Sequence, residues 1–324
     1  MFINDSLLPS RRAFLIASAG LAVSTLTARG SQADEKAPAG PPDPIIDIHQ
    51  HTSYHGRSAE ELLAHQRTMG ITRTILLPAG SLVDSPATHQ GKSNGLGAKA
   101  GGNDTVLEFA SQYPKEFLFG ANEVTDLPTA RQEIEKYLKL GAVIIAEQKF
   151  SVECDSPASR NIYALAAEYN VPVLLHFQHQ TYNLGFERFD KILAEFPKTN
   201  FIGHAQTWWG NIDLHHVQAE MYPKGKVTPG GLTDRYLRDY PNMYADLSAS
   251  SGLNALTRDE DHTREFFDRH QDKLIYGSDC ADRFGQGSPC QGAQTIAAIR
   301  RLAPSKPIER KLLYENAQKL FRLT

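Results

Sequence analysis

Cysteine is scarce in this chain, with three residues, Cys154, Cys280 and Cys290, among 324. Three scattered thiols cannot build a disulfide framework or a four-thiolate zinc site. Net charge is nearly absent too, since 34 Lys plus Arg face 37 Asp plus Glu, a formal −3. Without a basic excess to neutralise phosphates, nucleic acid is excluded as a partner. No G-x-G-x-x-G follows the first strand candidate, which argues against a dinucleotide-binding doubly wound sheet. There is also no internal repeat at the roughly 20–50-residue periods of solenoids. A chain of this length buries roughly three quarters of its unfolded surface and needs no staple to fold. What it does hold in quantity is histidine, twelve residues.

The N-terminus reads as an address. Ser10-Arg11-Arg12-Ala13-Phe14-Leu15 precedes an apolar stretch, then Ser31-Gln32-Ala33 and an acidic start at Asp34-Glu35. The stretch, about 16 residues broken by Ser18, Gly20, Ser24 and Thr25, falls short of the ~20 that span a bilayer. No stable membrane anchor is expected. The paired arginines and the small residues at Ser31 and Ala33 resemble a twin-arginine export signal over residues 1–33. That resemblance implies the export machinery as a partner, a periplasmic or secreted location, and passage of the chain already folded with its cofactor loaded. Residues 34–44 form a linker in which Pro38, Pro41, Pro42 and Pro44 exclude helix and central strand. The folded domain is expected over 45–324.

Beyond the linker, short apolar runs alternate with longer amphipathic ones, the pattern of repeated βα units around a parallel sheet. Strands are predicted at 45–49, 72–77, 117–121, 143–149, 171–176, 201–204, 243–247 and 274–279. Helices are predicted at 58–69, 128–140, 159–169, 186–196, 291–302 and 308–320. Runs such as Val171-Pro172-Val173-Leu174-Leu175 are apolar without alternation, as strands covered on both faces should be. Eight strand–helix units predict an α/β fold of the (β/α)8 barrel type. The long connections 79–103 and 207–233 would lie on its C-terminal face, where loops of that length act as lids or binding loops.

The polar residues that end the strands carry the chemistry. Strand 1 ends in His49-Gln50-His51, strand 4 in Glu147-Gln148-Lys149, strand 5 in His176, strand 6 in His204 and strand 8 in Gly277-Ser278-Asp279. In a barrel these termini converge on one face. Alternation along a strand puts His49 and His51 on one side, and Glu147 and Lys149 on one side. Each residue alone is unremarkable, because a histidine after an apolar run is usually a hydrogen-bonded core residue and Gly-Ser-Asp is commonly a turn. Burying four imidazoles and two acids together without a cation, however, leaves polar groups unpaired at a cost of several kcal/mol. Three imidazoles plus a carboxylate suit zinc or a related divalent ion with a position open to water.

This ordered set resembles the amidohydrolase superfamily, in particular its amidohydrolase-2 branch, and Tyr314-Glu315-Asn316-Ala317-Gln318-Lys319-Leu320-Phe321 resembles that branch's last helix. The resemblance covers about residues 43–321. It implies that His49, His51, His176 and Asp279 bind a first metal. His204 would either bind a second metal or act as acid/base and electrophile. Relatives carry a bridging carboxylate or modified lysine on strand 4, or neither, so Glu147 is a further candidate metal ligand and Lys149 a candidate catalytic residue. One divalent ion, zinc, is expected rather than two.

The implied activity is hydrolysis of a small-molecule ester, lactone or amide by metal-activated water. Asp279 is the base and His204 steadies the oxyanion. Lys149 would either bind a substrate carboxylate or simply pair with Glu147. Trp208, Trp209 and Tyr182 would form either an aromatic wall or ordinary packing, whereas His89, His179, His215 and His216 have no expected catalytic part. Two other functions stay open. One is non-oxidative decarboxylation of an aromatic or unsaturated acid, which wants a carboxylate-clamping arginine such as Arg57, Arg73, Arg160 or Arg283. The other is a non-catalytic periplasmic binder of metal or ligand. A homo-oligomer is compatible with all of them. Cys280 and Cys290 flank a Gly-containing loop after Asp279 and would form either a disulfide or a pair of free thiols.

Overall fold

The computed structural model describes residues 43–95 and 99–323, so the predicted export signal and most of the predicted linker lie outside the described residues. Eight strands run β1 (Ile46–Gln50), β2 (Arg73–Leu76), β3 (Phe117–Phe119), β4 (Ile145–Gln148), β5 (Val173–His176), β6 (Phe201–His204), β7 (Met243–Asp246) and β8 (Leu274–Ile275). The helices between and after them are α1 (Ala59–Thr68), α2 (Asn103–Gln112), α3 (Ala130–Lys139), α4 (Pro157–Tyr169), α5 (Phe189–Glu195), α6 (Ala205–Gly210), α7 (Leu232–Asp239), α8 (Ala249–Arg258), α9 (Glu260–His270), α10 (Gln291–Leu302), α11 (Lys306–Arg310) and α12 (Asn316–Leu320).

All strand pairs are parallel, in one ladder β1-β2-β3 and another β4-β5-β6-β7-β8. Two seams close them into a cylinder. At the first, Val143 N donates to Phe119 O (2.9 Å) and Ala146 N to Ala121 O (2.8 Å). At the second, Ile48 N donates to Tyr276 O (3.2 Å) and Asp279 N to His49 O (2.7 Å). The buried Asp47 carboxylate reinforces this seam by accepting from Ser278 N (2.8 Å) and Ser278 Oγ (2.5 Å). The molecule is therefore a (β/α)8 barrel.

Strand alternation sorts the apolar residues into two cores. Ile46, Ile48, Ile75, Leu77, Ile144, Ala146, Leu174, Ile202 and Ile275 fill the barrel, together with Ala317, Leu320 and Phe321 from the end of the chain. Leu76, Ile145, Val173, Leu175, Phe201 and Ala245 face the helices. Helix starts follow their caps. Ser58 accepts from Glu61 N while Glu61 accepts from Ser58 N, a reciprocal capping box that begins α1. Ser156 caps α4 one residue before Pro157, a residue tolerated where no intrahelical N–H is needed.

Three predicted elements differ from the outcome. Regular pairing in the eighth strand stops at Ile275, because Gly277-Ser278-Asp279 turns away and Asp279 takes a left-handed φ of 41°. The 186–196 helix opens with a 3-10 turn at Phe186–Arg188. The closing 308–320 helix is α11 and α12 joined through a π turn at Lys311–Glu315.

Candidate metal centre

The C-terminal ends of the strands gather the sequence-predicted residues into one buried cluster. Strand parity alone would not do this, since Ile46 and Ile48 already face inward and His49 and His51 have the opposite parity. Register shifts between Asp47 and Gln50 in β1, and between Ile145 and Gln148 in β4, break the alternation at these two ends. Such irregularities re-aim side chains next to active sites. They turn His49, His51 and Glu147 into the barrel mouth, where Asp279 meets them.

Imidazole geometry fixes which nitrogens are free. His51 Nδ1 lies 2.8 Å from Leu77 O, a pure acceptor, so Nδ1 carries the proton and Nε2 offers a lone pair. His49 Nδ1 donates to Asp246 Oδ2 at 2.7 Å, which frees its Nε2 in the same way. These two Nε2 atoms face each other at 3.2 Å. Glu147 Oε2 lies 3.8 Å from His49 Nε2 and 3.6 Å from His51 Nε2. Asp279 Oδ1 lies 3.8 and 3.5 Å from the same two nitrogens. Both oxygens are buried and accept no hydrogen bond. His49 Nε2, His51 Nε2 and Asp279 Oδ1 thus form one close group, with Glu147 Oε2 adjoining both nitrogens, and metal–ligand bonds of about 2.0–2.2 Å would give tetrahedral edges of about 3.3–3.6 Å. The donor set fits a divalent cation.

His176 and His204 stand beside this set. They are register partners across β5 and β6. His176 Nδ1 contacts Glu147 Oε1 at 2.7 Å and its Nε2 contacts Gln178 Oε1 at 3.2 Å. It therefore shares Glu147 with the four-atom set and is not bonded to Asp279. Glu147, His176 and His204 form a second group of potential ligand atoms next to the first. His204 Nδ1 contacts Asp246 Oδ2 at 3.0 Å, while its Nε2 lies 3.8 Å from both Glu147 Oε1 and Asp279 Oδ2.

Asp246 is the residue that sequence reasoning missed. Its Oδ2 receives His49 Nδ1, His204 Nδ1 and the Ser248 hydroxyl (2.6 Å), fixing the tautomer of two site imidazoles. The signal was present, because Asp246 ends the otherwise apolar β7 just as the named residues end theirs.

The site's electrostatics are anionic. Burial opposes protonation of His49, but the Asp279 and Asp246 carboxylates outweigh it and push the imidazole up to about 10. Burial would raise Asp279, yet His49 and His51 hold it near 2. Glu147 also stays ionised against burial, held well below the usual carboxylate range by Lys149 and His176. Burial, with Lys149 nearby, lowers His176 to about 3 and keeps its ring neutral. Carboxylates that hold a proton on His49 offer the same place to a cation.

The remaining candidates separate clearly. Lys149 Nζ lies 3.8 Å from Glu147 Oε1 with its side chain 16% exposed, so it pairs with Glu147 and also reaches the mouth. A cavity of about 240 Å³ opens between the loops after β5 and β6, lined by Gln178, Tyr182, Phe186 and Thr207 among others. Tyr182 packs edge-on against His176 with centroids 5.5 Å apart. Trp208 and Trp209 are ordinary packing. Both are buried in the helix-side core, and Trp209 Nε1 donates to Asp246 O (3.0 Å). His89, His179 and His215 are exposed, and His216 is partly buried outside the cluster. Arg57 spends its terminal nitrogens on Cys280 O, Asp282 O, Gln50 Oε1 and His51 O. Arg160 pairs with Glu195, Arg283 pairs with Glu61, and Arg73 begins β2 at the opposite end of the barrel. Cys280 and Cys290 are free thiols.

Fold and donor set together define a barrel enzyme of the metal-dependent hydrolase type. The sequence profile of the family described as Amidohydrolase matches residues 46–323, and the chain belongs to that family. A probable 2-pyrone-4,6-dicarboxylic acid hydrolase from Acinetobacter baumannii superposes with a TM-score of 0.56 at 14% identity, over 86% of this chain and 99% of that one. A 2,6-dihydroxybenzoate decarboxylase from Rhizobium superposes with 0.54 at 15% identity, over 87% and 99%. A 5-carboxyvanillate decarboxylase from Novosphingobium aromaticivorans, complexed with manganese, gives 0.50 at 17% identity, over 81% and 79%. These likenesses establish the shared fold. No curated protein matches significantly in sequence.

Proposed function

We propose that the chain is a metal-dependent hydrolase of a small-molecule ester, lactone or amide. His49, His51, Glu147 and Asp279 would hold one divalent ion, with His176 as a further ligand candidate through Glu147. We assign zinc, on the strength of the imidazole–carboxylate donors and the open position. Its contribution when bound is Lewis-acid polarisation of the substrate oxygen and of water.

The observation that carries this reading is the ionised, buried Asp279, which has one oxygen toward His49 and His51 and the other toward His204. Asp279 accepts a proton from water as it attacks the carbonyl carbon and passes it to the leaving group. His204, held through Nδ1 by Asp246, presents Nε2 to the developing oxyanion and, when protonated, donates to it. Lys149 binds a carboxylate on the substrate, and Gln178 and Tyr182 border the space for the rest of it. None of Arg57, Arg73, Arg160 or Arg283 is free to clamp a carboxylate in the site, which favours hydrolysis over decarboxylation.

A panel of esters, lactones and amides, run beside aromatic and unsaturated carboxylic acids with carbon dioxide detection, tests the assignment. Turnover confined to the hydrolytic substrates supports it, whereas carbon dioxide release from an acid makes the protein a decarboxylase. Export belongs to the same proposal. Residues 1–33 would deliver the folded, metal-loaded chain through the twin-arginine machinery to the periplasm or medium. The motif Arg11-Arg12 supports this, and Arg11→Lys with Arg12→Lys should leave the protein inside the cell.

A further inference from the structure

A second buried cluster lies behind the mouth, on the far side of the peptide that follows Asp279. Cys280 comes directly after Asp279, Cys290 caps the N-terminus of α10, and His65 and Met69 lie one turn apart at the end of α1. Cys280 Sγ and Cys290 Sγ are 3.7 Å apart. Cys290 Sγ is 3.5 Å from His65 Nε2 and 3.6 Å from Met69 Sδ. All four side chains are buried, and none belongs to the donor set at the barrel mouth.

We infer that His65, Cys280, Cys290 and Met69 form a second, closed site for a thiophilic cation, zinc(II) or copper(I). A sulfur–sulfur bond is about 2.05 Å long, so the two thiols are not joined. A tetrahedral ion with metal–sulfur bonds of about 2.3 Å would separate two sulfurs by about 3.8 Å and sulfur from nitrogen by about 3.6 Å. The three edges that meet at Cys290 Sγ, 3.7, 3.5 and 3.6 Å, lie close to those lengths. Two thiols, an imidazole and a thioether are a soft set that selects these ions over calcium, magnesium or manganese. Asp282 is the other acid nearby, with Oδ2 3.9 Å from His65 Nε2. That oxygen already accepts from Phe284 N and Gly285 N, which leaves Met69 as the fourth ligand.

The ion would have a structural task. The segment from Cys280 to Cys290 contains Gly285 and Gly287 in left-handed conformations and an exposed Phe284, so its own side chains hold it weakly. A cation bound at both ends of the segment and to α1 would close it. It would also fix the backbone at Asp279 and Cys280, whose carbonyl oxygens receive Gln291 Nε2 and Arg57 Nη1 respectively.

Cobalt(II) titration of the reduced, metal-stripped full-length chain tests the site without any assay of activity. A thiolate-to-cobalt charge-transfer band should saturate once one equivalent has bound beyond that taken by the mouth, and should saturate at one equivalent in His51→Ala, whose lesion is confined to the mouth. It should vanish in Cys280→Ser and in Cys290→Ser. Zinc alone or copper(I) alone should displace the cobalt one for one, and whichever does so identifies the ion. Absence of the band in the unsubstituted chain, displacement by neither ion, or a native mass showing a Cys280–Cys290 disulfide would each overturn the proposal. Because the unsubstituted chain decides these outcomes, a serine variant that fails to fold leaves the test intact.

Discussion

Two imidazoles whose Nε2 atoms face each other at 3.2 Å, with each Nδ1 held by an oxygen on the far side, are the clearest sign of a cation at the barrel mouth. His49→Ala and His51→Ala should therefore abolish both metal retention and turnover, whereas His204→Ala should lose turnover while keeping at least part of the metal. Metal analysis and kinetics on the same preparations check both. Asp246→Asn keeps the shape but removes the charge that fixes His49 and His204. It should cost about 10- to 100-fold in metal affinity or activity, as the loss of orienting partners does elsewhere. Protons and metal compete for His49. Its imidazole stays protonated up to about pH 10 when no cation is present, so a cation must displace that proton. Apparent affinity should rise about tenfold per pH unit through the neutral and mildly basic range and flatten above the His49 value. Affinity independent of pH over that range would show that His49 is not a ligand. The candidate residues were legible in the sequence because each interrupts an apolar run at its end. Asp246 follows the same rule in Met243-Tyr244-Ala245-Asp246, but a lone acid there reads equally well as the start of a loop.

At the scale of elements, the site depends on how β1, β4, β7 and β8 end. Gly277 is the tightest point of that meeting. A Cβ there would run into the Asp246 carboxylate, and it would lie 2.9 Å from the Cβ of His49 and 3.1 Å from that of Ser248. Gly277→Ala should destabilise the fold by about 1–3 kcal/mol, the usual cost of overpacking, and should weaken metal binding by moving Asp246. Denaturant melts and metal titration measure the two effects separately. Backbone strain collects at the same mouth, where Ala205, Ala249 and Asp279 have φ of 79°, 62° and 41° directly after β6, near the end of β7 and after β8. Strand positions could be read from apolar runs, because burial on both faces leaves few polar residues. The register shifts could not be read, because an irregular ladder is set by neighbouring strands and leaves no period in its own sequence. Alternation explains why His49 and His51 move together, but only the irregularity in β1 explains why they point inward.

The whole molecule follows from closing a parallel sheet on itself. Eight strands were countable in the sequence because each is a short apolar run, and amphipathic helices were legible after several of them. Closure itself was legible only as the consequence of that count. The pairs that complete it, Ala121 with Ile145 and Ile48 with Tyr276, lie outside or at the edge of the regular ladders. Closure also makes the chemistry, since residues as far apart in sequence as His49 and Asp279 become neighbours only in a closed barrel. The central claim is that this convergence builds a cation-dependent hydrolytic centre. Its most direct test is turnover of the active ester, lactone or amide against occupancy of the mouth site, measured as the divalent ion bound by the unsubstituted chain beyond that bound by His51→Ala. Turnover should fall to background in the stripped protein and return in proportion to that occupancy. Undiminished turnover by the stripped protein would contradict the account.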